Sequence, residues 1–541
     1  MKALPWVTGI AVVVAWTVVA SAGYVNWNPD GSASIRTLDG EVIEFEPGEL
    51  GTLFGPGRQP FRGRSIAITV NAAGPRGGIS GPLYQLRPAW EELTGAKLEI
   101  VEIPFAEHYT KFINDLRLGI GQYDGSMVGS WWYGDLVAGE YIVPIDRYIT
   151  DPRFPRWDPN SLPPSVRTLY TWGGKWYGTL NDSDGQVLYY RKDILTDPRW
   201  QQAYRQATGK ELHVPPRSWQ ELLEISRFFA GKDWNGDGDP DHGIVLHLKV
   251  GEQGMFHFMS LSAAFVVNPG LTVDRYRNVY WFDPETMAPL INSPGHVRAL
   301  EFLIELAKTG PAAQVGWSLG EAWDYFLRGK AIFVFSWGDV GALVQDVTRS
   351  RIKGKLGASI LPGSEEVYDL ERRTWVRPAQ PNVVGNTTGG SWHGVISALS
   401  RNPEVVYSLY ALMATRPVSL WNVNRGWTGV DPGVRFHFLP PQGTASLEGY
   451  LAQGWDENDL REYLKAYYDN FFAPTILTYL RIPGTFEYWT ILDQNLSAAM
   501  SGQLTPQQAL DRTARLWDEV TNRLGRREQL RLYQEAIGYR P

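Results

Sequence analysis

The chain has no cysteine in its 541 residues. That excludes disulfides, thiolate metal sites, a cysteine nucleophile and N-terminal lipoprotein acylation. It also lacks a concentrated field of positive charge. The formal net charge is −7 at pH 7, which gives no electrostatic footprint for nucleic acid. Arginines do gather near the C-terminus (Arg523, Arg526, Arg527, Arg531), but Asp518, Glu519, Glu528 and Glu535 interleave with them, as on a solvated helix face. Catalytic motifs are missing as well: there is no H-E-x-x-H, no P-loop and no G-x-S-x-G, and the eight histidines show no metal-binding spacing. No internal repeat or low-complexity tract interrupts the chain.

What remains is an ordinary soluble composition, 43% hydrophobic and 20% charged, on a chain too long for one compact core. Two or three domains are expected. Aromatics reach 13%, with 23 tryptophans. Indole faces fill cores and also serve as platforms for sugar rings, and composition does not separate the two uses. At the N-terminus, Lys2 is the single charge before an apolar run over 3–25, with Ala20-Ser21-Ala22 as a small-x-small cleavage site. The run reads as a secretory signal, or as a retained anchor, since crossing a bilayer takes ~20 apolar residues. Either reading puts the body of the protein outside the cytoplasm.

Residues 23–63, rich in Gly, Pro and Asp, read as a linker with one small hairpin. The folded body is expected to begin with an apolar strand over 65–70, a glycine-rich loop over 74–81, a helix over 83–93 and a strand over 97–103. Strand, helix and strand at this spacing predict a parallel sheet and an α/β fold. A helix over 109–119 and a strand ending near Trp131 and Trp132 follow. Further helices are predicted over 219–229, 252–264, 296–308, 319–328, 403–414, 483–500 and 505–524. A buried strand over 331–335 ends at Ser336-Trp337-Gly338-Asp339, and another strand follows Gly390-Ser391-Trp392-His393.

Two stretches carry most of the chemistry. In 171–195, TWGGKWYGTLNDSDGQVLYYRKDIL, a glycine turn joins two short aromatic strands, and the polar run Asn181-Asp182-Ser183-Asp184-Gly185 precedes an apolar strand. That pattern suits a polar cleft at a hinge, and equally a solvated loop. In DWNGDGDPDHG, oxygen side chains alternate at Asp233, Asn235, Asp237, Asp239 and Asp241, with Gly238 at the sixth place, like the front of a calcium loop. Ile244 stands where a bidentate Glu belongs, so the local ligand set is incomplete. Structural Ca2+ and a metal-free Asx-turn loop are both compatible with it.

GGKWYG, the acidic crossing and LYYRKDIL resemble the first interlobe crossing of bacterial extracellular solute-binding proteins of the sugar-binding kind that serve ABC importers. FAEHYTK (105–111), YDG (123–125), GDL (134–136), LPG (361–363) and SAAMSG (497–502) fall in that family's order over residues 64–541. The resemblance implies a two-lobed periplasmic binding protein fold, with a hinge of two or three crossings and a ligand cleft between lobes. The first lobe would take 64–184 plus 393–470, and the second 187–390 plus 475–541. It further implies sugar-stacking aromatics at Trp131 or Trp132, Trp337 and Trp489, and a hinge carboxylate at Asp184 accepting hydrogen bonds from hydroxyls. Asp182, Asp135 and Asp339 are further acceptors, and Trp392, His393, Tyr84 and Phe256 weaker lining candidates. In related sugar receptors the calcium loop borrows a remote Glu. The expected protein is a monomeric, non-catalytic periplasmic receptor that hands a sugar to ABC permease subunits. The alternative is an exported glycoside hydrolase or lyase, which would need two carboxylates flanking a bond. Asp182 and Asp184, on one short segment, are poorly placed for that.

Overall fold

The computed structural model describes residues 23–74, 77–267, 280–477 and 480–539. The expected signal or anchor at 1–22 lies outside them. Among the described residues, no helix is long and apolar enough to cross a membrane.

Two four-stranded sheets organise the chain. In the first, Ser65–Asn71 pairs in parallel with Lys97–Ile103 on one side and with Gly125–Val128 on the other. His393–Ile396, about 265 residues further along the chain, returns antiparallel to Gly125–Val128. Ile66, Ile68 and Val70 are buried at the centre, as their apolar run requires. The covering helix Gly81–Thr94 starts on Pro82, buries Leu83, Leu86, Trp90 and Leu93 along one stripe, and stops at Gly95 in the left-handed region (φ 74°).

The second sheet runs in the order His242–Ile244, Ala331–Ser336, Val187–Arg191, Leu356–Ser359. All six residues of Ala331–Ser336 are buried, which fits a central strand covered on both faces. Helices Trp219–Phe229, Met255–Val266, Pro294–Ala307 and Leu319–Leu327 fall within three residues of their predicted limits.

Two chain crossings, one outgoing over 182–187 and one returning over 385–393, are bonded side by side, and the 470–477 segment is laid along them. Asn386 donates from Nδ2 to the Gln186 carbonyl and accepts the Gln186 N–H at its Oδ1, both at 2.8 Å. Its own N–H goes to Asn470 Oδ1 at 2.9 Å, and Gly385–Asn386 pairs in parallel with Ile476–Leu477. The fold is two α/β lobes joined at a hinge.

Two expectations differ from what is observed. Residues 23–63 are more than a linker with a hairpin: Val25–Trp27, Ala33–Arg36 and Val42–Phe45 form a three-stranded antiparallel sheet. Its alternate residues Ala33, Ile35, Ile43 and Phe45 are buried, and Arg425 ties it down through ion pairs to Asp39 (2.8 Å) and Glu41 (2.6 Å). Helix Glu457–Phe471, inside the segment assigned by sequence to the first lobe, is bonded to the second sheet. Asp459 accepts the N–H groups of Gly354 and Leu356, and Glu462 pairs with Lys192.

Candidate ligand-binding cleft

Where the lobes meet, two adjoining cavities of about 290 and 270 Å³ share Phe105, Glu252 and Gln253 in their walls. The first is lined by Asp184 and Trp392 of the hinge, by Trp337, Asp339 and Trp323 of the second lobe, and by Asn71, Gly74, Gly78 and Ile79 of the first. The second is lined by Trp131, Phe256, Trp489, Phe486, Met255 and Asp493.

Each aromatic is positioned by the end of a regular element. Trp131 and Trp132 sit in the single turn Ser130–Trp132 just past the interior strand Gly125–Val128. Trp337 follows the central strand of the second sheet, where its indole N–H donates to the Thr388 carbonyl at 2.5 Å and so links that lobe to the return crossing. Trp489 projects from helix Thr485–Met500. Their rings form one cluster across the lobe boundary: Trp131 is 5.3 Å from Trp489 and 5.6 Å from Trp392, and Phe256 is 5.2 Å from Trp489 and 5.6 Å from Trp337.

Behind the aromatics is a buried acidic group. One oxygen from each of Asp182, Asp184 and Asp431 lies within 4.8 Å of the others. Burial, then the charges of Asp184 and Asp431, push Asp182 well above the usual carboxylate range. Asp431 is raised the same way, by burial and then by Asp339 and Asp184. Burial lifts Asp184 to about 6, and burial together with the Asp184 charge lifts Asp339 to about 7. Asp493, in the second cavity, is lifted by burial to about 6. Among the described residues, neither cavity is lined by a lysine, arginine or histidine.

The sequence-derived candidates divide into three groups. Trp131, Asp184, Phe256, Trp337, Asp339, Trp392 and Trp489 line the cavities. Asp182, Trp132, Asp135 and His393 support them from behind without lining them. Both Asp182 oxygens are taken by backbone, from Trp392 N–H at 2.8 Å and Asp431 N–H at 2.7 Å. Trp132 packs edge-on against Trp131 and Trp392. Asp135 accepts the Tyr109 hydroxyl at 2.6 Å and the Gly484 N–H at 3.2 Å, tying the first lobe to the start of the Trp489 helix. His393 takes the Tyr133 hydroxyl at 2.6 Å, and burial lowers its pKa to about 4. Tyr84 is in neither group: it sits half-buried on helix Gly81–Thr94 with the Arg87 guanidinium over its ring, away from both cavities.

Sequence reasoning passed over Phe105, Glu252, Gln253, Trp323, Asp431 and Asp493. Phe105 opens the FAEHYTK motif, the one signal available. Trp323 reads as the core stripe of an amphipathic helix, and the others lie on segments brought together only by lobe packing.

The Asp-rich loop has a different internal arrangement from a cation cage. Asp233 accepts the N–H groups of Gly236, Asp237 and Gly238, and Asn235 turns its amide nitrogen toward Asp241 at 2.8 Å. The Lys330 ammonium lies among the carboxylates, 2.5 Å from Asp237, 3.4 Å from Asp241 and 3.9 Å from Asp239. The chain supplies its own cation there, and the donors as arranged do not fit Ca2+.

A family model described as bacterial extracellular solute-binding protein matches residues 80–418. The sn-glycerol-3-phosphate-binding periplasmic protein of Salmonella typhimurium is 23% identical over 382 residues, 70% of this chain and 74% of that one. Among solved structures, an Agrobacterium radiobacter ABC transporter solute-binding protein in complex with ribitol superposes with TM-score 0.63 at 19% identity, over 85% of this chain and 100% of that one. An Agrobacterium vitis counterpart with bound D-mannitol gives 0.61 at 19%, over 85% and 99%. Maltose-bound MalE3 of Thermotoga maritima gives 0.60 at 19%, over 84% and 99%. At such identities the likeness carries the fold alone.

Proposed function

The chain belongs to the bacterial extracellular solute-binding protein family, and on that premise we propose that it is the receptor of an ABC importer, gripping a carbohydrate or polyol between its lobes. The observation that carries this reading is the origin of the cavity walls. Phe105 and Asn71 come from the first lobe, Trp337, Asp339, Phe256 and Trp489 from the second, and Asp184 and Trp392 from the hinge. A ligand touching all three stabilises the closed arrangement over the open one, and that differential contact is what moves a hinge. The closed form then docks on the permease pair, outside the cytoplasmic membrane, with the N-terminal segment cleaved or kept as a tether.

Chemically, apolar ring faces or carbon chains stack on the indoles while hydroxyls donate to Asp184 and Asp339. Micromolar affinity needs about −8 kcal/mol, within reach of two or three stacked contacts and several charge-assisted hydrogen bonds. The solutes bound in the structural relatives, ribitol, mannitol and maltose, are of this kind. The phosphorylated solute named for the Salmonella relative fits less well, because no basic side chain among the described residues lines the cleft. No bond is broken in this scheme. Asp182, sealed by two backbone N–H groups, has no free oxygen to flank a glycosidic linkage.

The test is small-angle scattering and calorimetry against a panel of mono- and oligosaccharides and polyols. A binder that reduces the radius of gyration supports the receptor. A panel in which nothing binds and nothing compacts the protein removes it.

A further inference from the structure

Resting on the receptor reading above, we propose that the preferred solute is a sugar or polyol carrying an amino group, its ammonium held by Asp184 and Asp339 and its carbon face against Trp337 and Trp392.

The argument begins with charge at the cavity walls. Among the described residues, the charged side chains lining the first cavity are Asp184, Asp339 and Glu252, and those lining the second are Glu252 and Asp493. All are acidic. Arg76, between Gly74 and Gly78 in sequence, is outside the described residues. Among the described residues, the single ion pair at these walls is Lys249 with Glu252 at 3.4 Å, on half-exposed side chains at the rim. Asp184, Asp339 and Asp493 have no cationic partner among the described residues.

The layer behind supplies no positive charge either. Asp182 and Asp431 stand next to Asp184, and Asp431 receives hydrogen bonds only from neutral donors, the Gly338 N–H and the Tyr467 hydroxyl. His247 lies 5.4 Å from Trp337 and His257 lies against it, but burial depresses both imidazoles far below neutrality. They bring no positive charge.

Neutral hydroxyls would satisfy these oxygens as acceptors but would leave Asp184, the first of the group to ionise, without a countercharge. When the lobes close and water leaves, the low dielectric enlarges that cost. An ammonium group removes it, and it also gains from the electron-rich faces of Trp337, Trp392 and Trp323, which line the same cavity. An anionic solute meets the opposite field. The cavity of about 290 Å³ is enough for one sugar-sized unit, with the second cavity next to it for an extension.

The experiment is calorimetric titration of the full chain near neutral pH with D-glucosamine and 1-amino-1-deoxy-D-glucitol. D-glucose, D-glucitol and N-acetyl-D-glucosamine serve as uncharged counterparts. The expected result is at least one amine bound about ten-fold or more tighter than its uncharged counterparts, a difference of about 1.4 kcal/mol. That preference should be lost in Asp339→Asn or, where that variant does not fold, in Asp184→Asn. An uncharged counterpart bound as tightly as the amine, or a preference that survives both substitutions, overturns the proposal. If uncharged sugars bind and compact the protein while amines gain nothing, this inference falls and the receptor stands. If neither set nor the wider neutral panel binds, both fall.

Discussion

Asp184 and Ser391 hold each other reciprocally across the hinge. The Asp184 carboxylate accepts the Ser391 N–H at 2.6 Å, and Ser391 Oγ accepts the Asp184 N–H at 3.1 Å. Ser391 has a φ of 47°, a left-handed conformation that costs a non-glycine residue roughly 1–3 kcal/mol and persists only where its surroundings over-determine it. Two residues back, the Asp182 carboxylate accepts the N–H groups of Trp392 and Asp431. The outgoing and returning crossings are thus laced together, and this lacing sets the floor of the cleft with one Asp184 face toward the cavity.

Asp182→Ala orphans two buried backbone N–H groups, each worth roughly 1–3 kcal/mol when left unmade. The variant should melt several degrees below the parent by calorimetry. An unchanged melting temperature would contradict the hinge role assigned to this residue.

Trp489→Ala and Trp337→Ala are expected to weaken solute binding by about ten-fold or more each, through loss of stacking area. Trp489→Phe should recover part of the loss, because a smaller ring still offers a face. Affinities unchanged in both alanine variants would put the binding surface elsewhere.

Acidity offers a sharper readout. Asp339 titrates near 7 in the folded chain against an ordinary 3.8, so between those values the folded state keeps a proton that the unfolded state gives up. Its contribution therefore lowers stability as pH rises through that window, and the loss is complete above it. Asp339→Asn should be more stable than the parent at about pH 8, with the gap closing toward about pH 4. Buried His108, His247, His296 and His437, each near 3, slope the other way, but they are common to both chains and cancel in the difference. Paired thermal melts across this range decide it; a gap independent of pH would be the wrong outcome.

Lys330→Met removes the ammonium from among Asp237, Asp239 and Asp241. Like charges then face one another without a cation, so the variant should lose stability at low salt and gain affinity for Ca2+ by titration calorimetry. If the parent takes up Ca2+ as tightly as the variant does, Lys330 is not the cation the loop relies on.

Much of this fold was readable along the chain. The apolar run over 331–335 reads as a buried strand, and the glycine pair at 173–174 reads as a tight turn. The observed φ values there, 55° and 77°, are those of a two-residue hairpin. Residues 23–63 were harder, because their short alternating strands are stabilised by partners far away, chiefly Arg425 and helix Gly81–Thr94.

Local periodicity and turn chemistry act over a few residues, and so the order of strands and helices, the polar hinge segment and the tryptophans beside it were determined by sequence alone. Which carboxylate faces the cavity and which is spent on backbone was settled only by folding. Asp182 and Asp184 are chemically alike and two residues apart, yet one is sealed by Trp392 and Asp431 and the other lines the cleft. The same holds for Lys330 among the loop aspartates and for Trp323 in the wall. Each depends on a contact between segments distant in the chain, which no short-range pattern encodes.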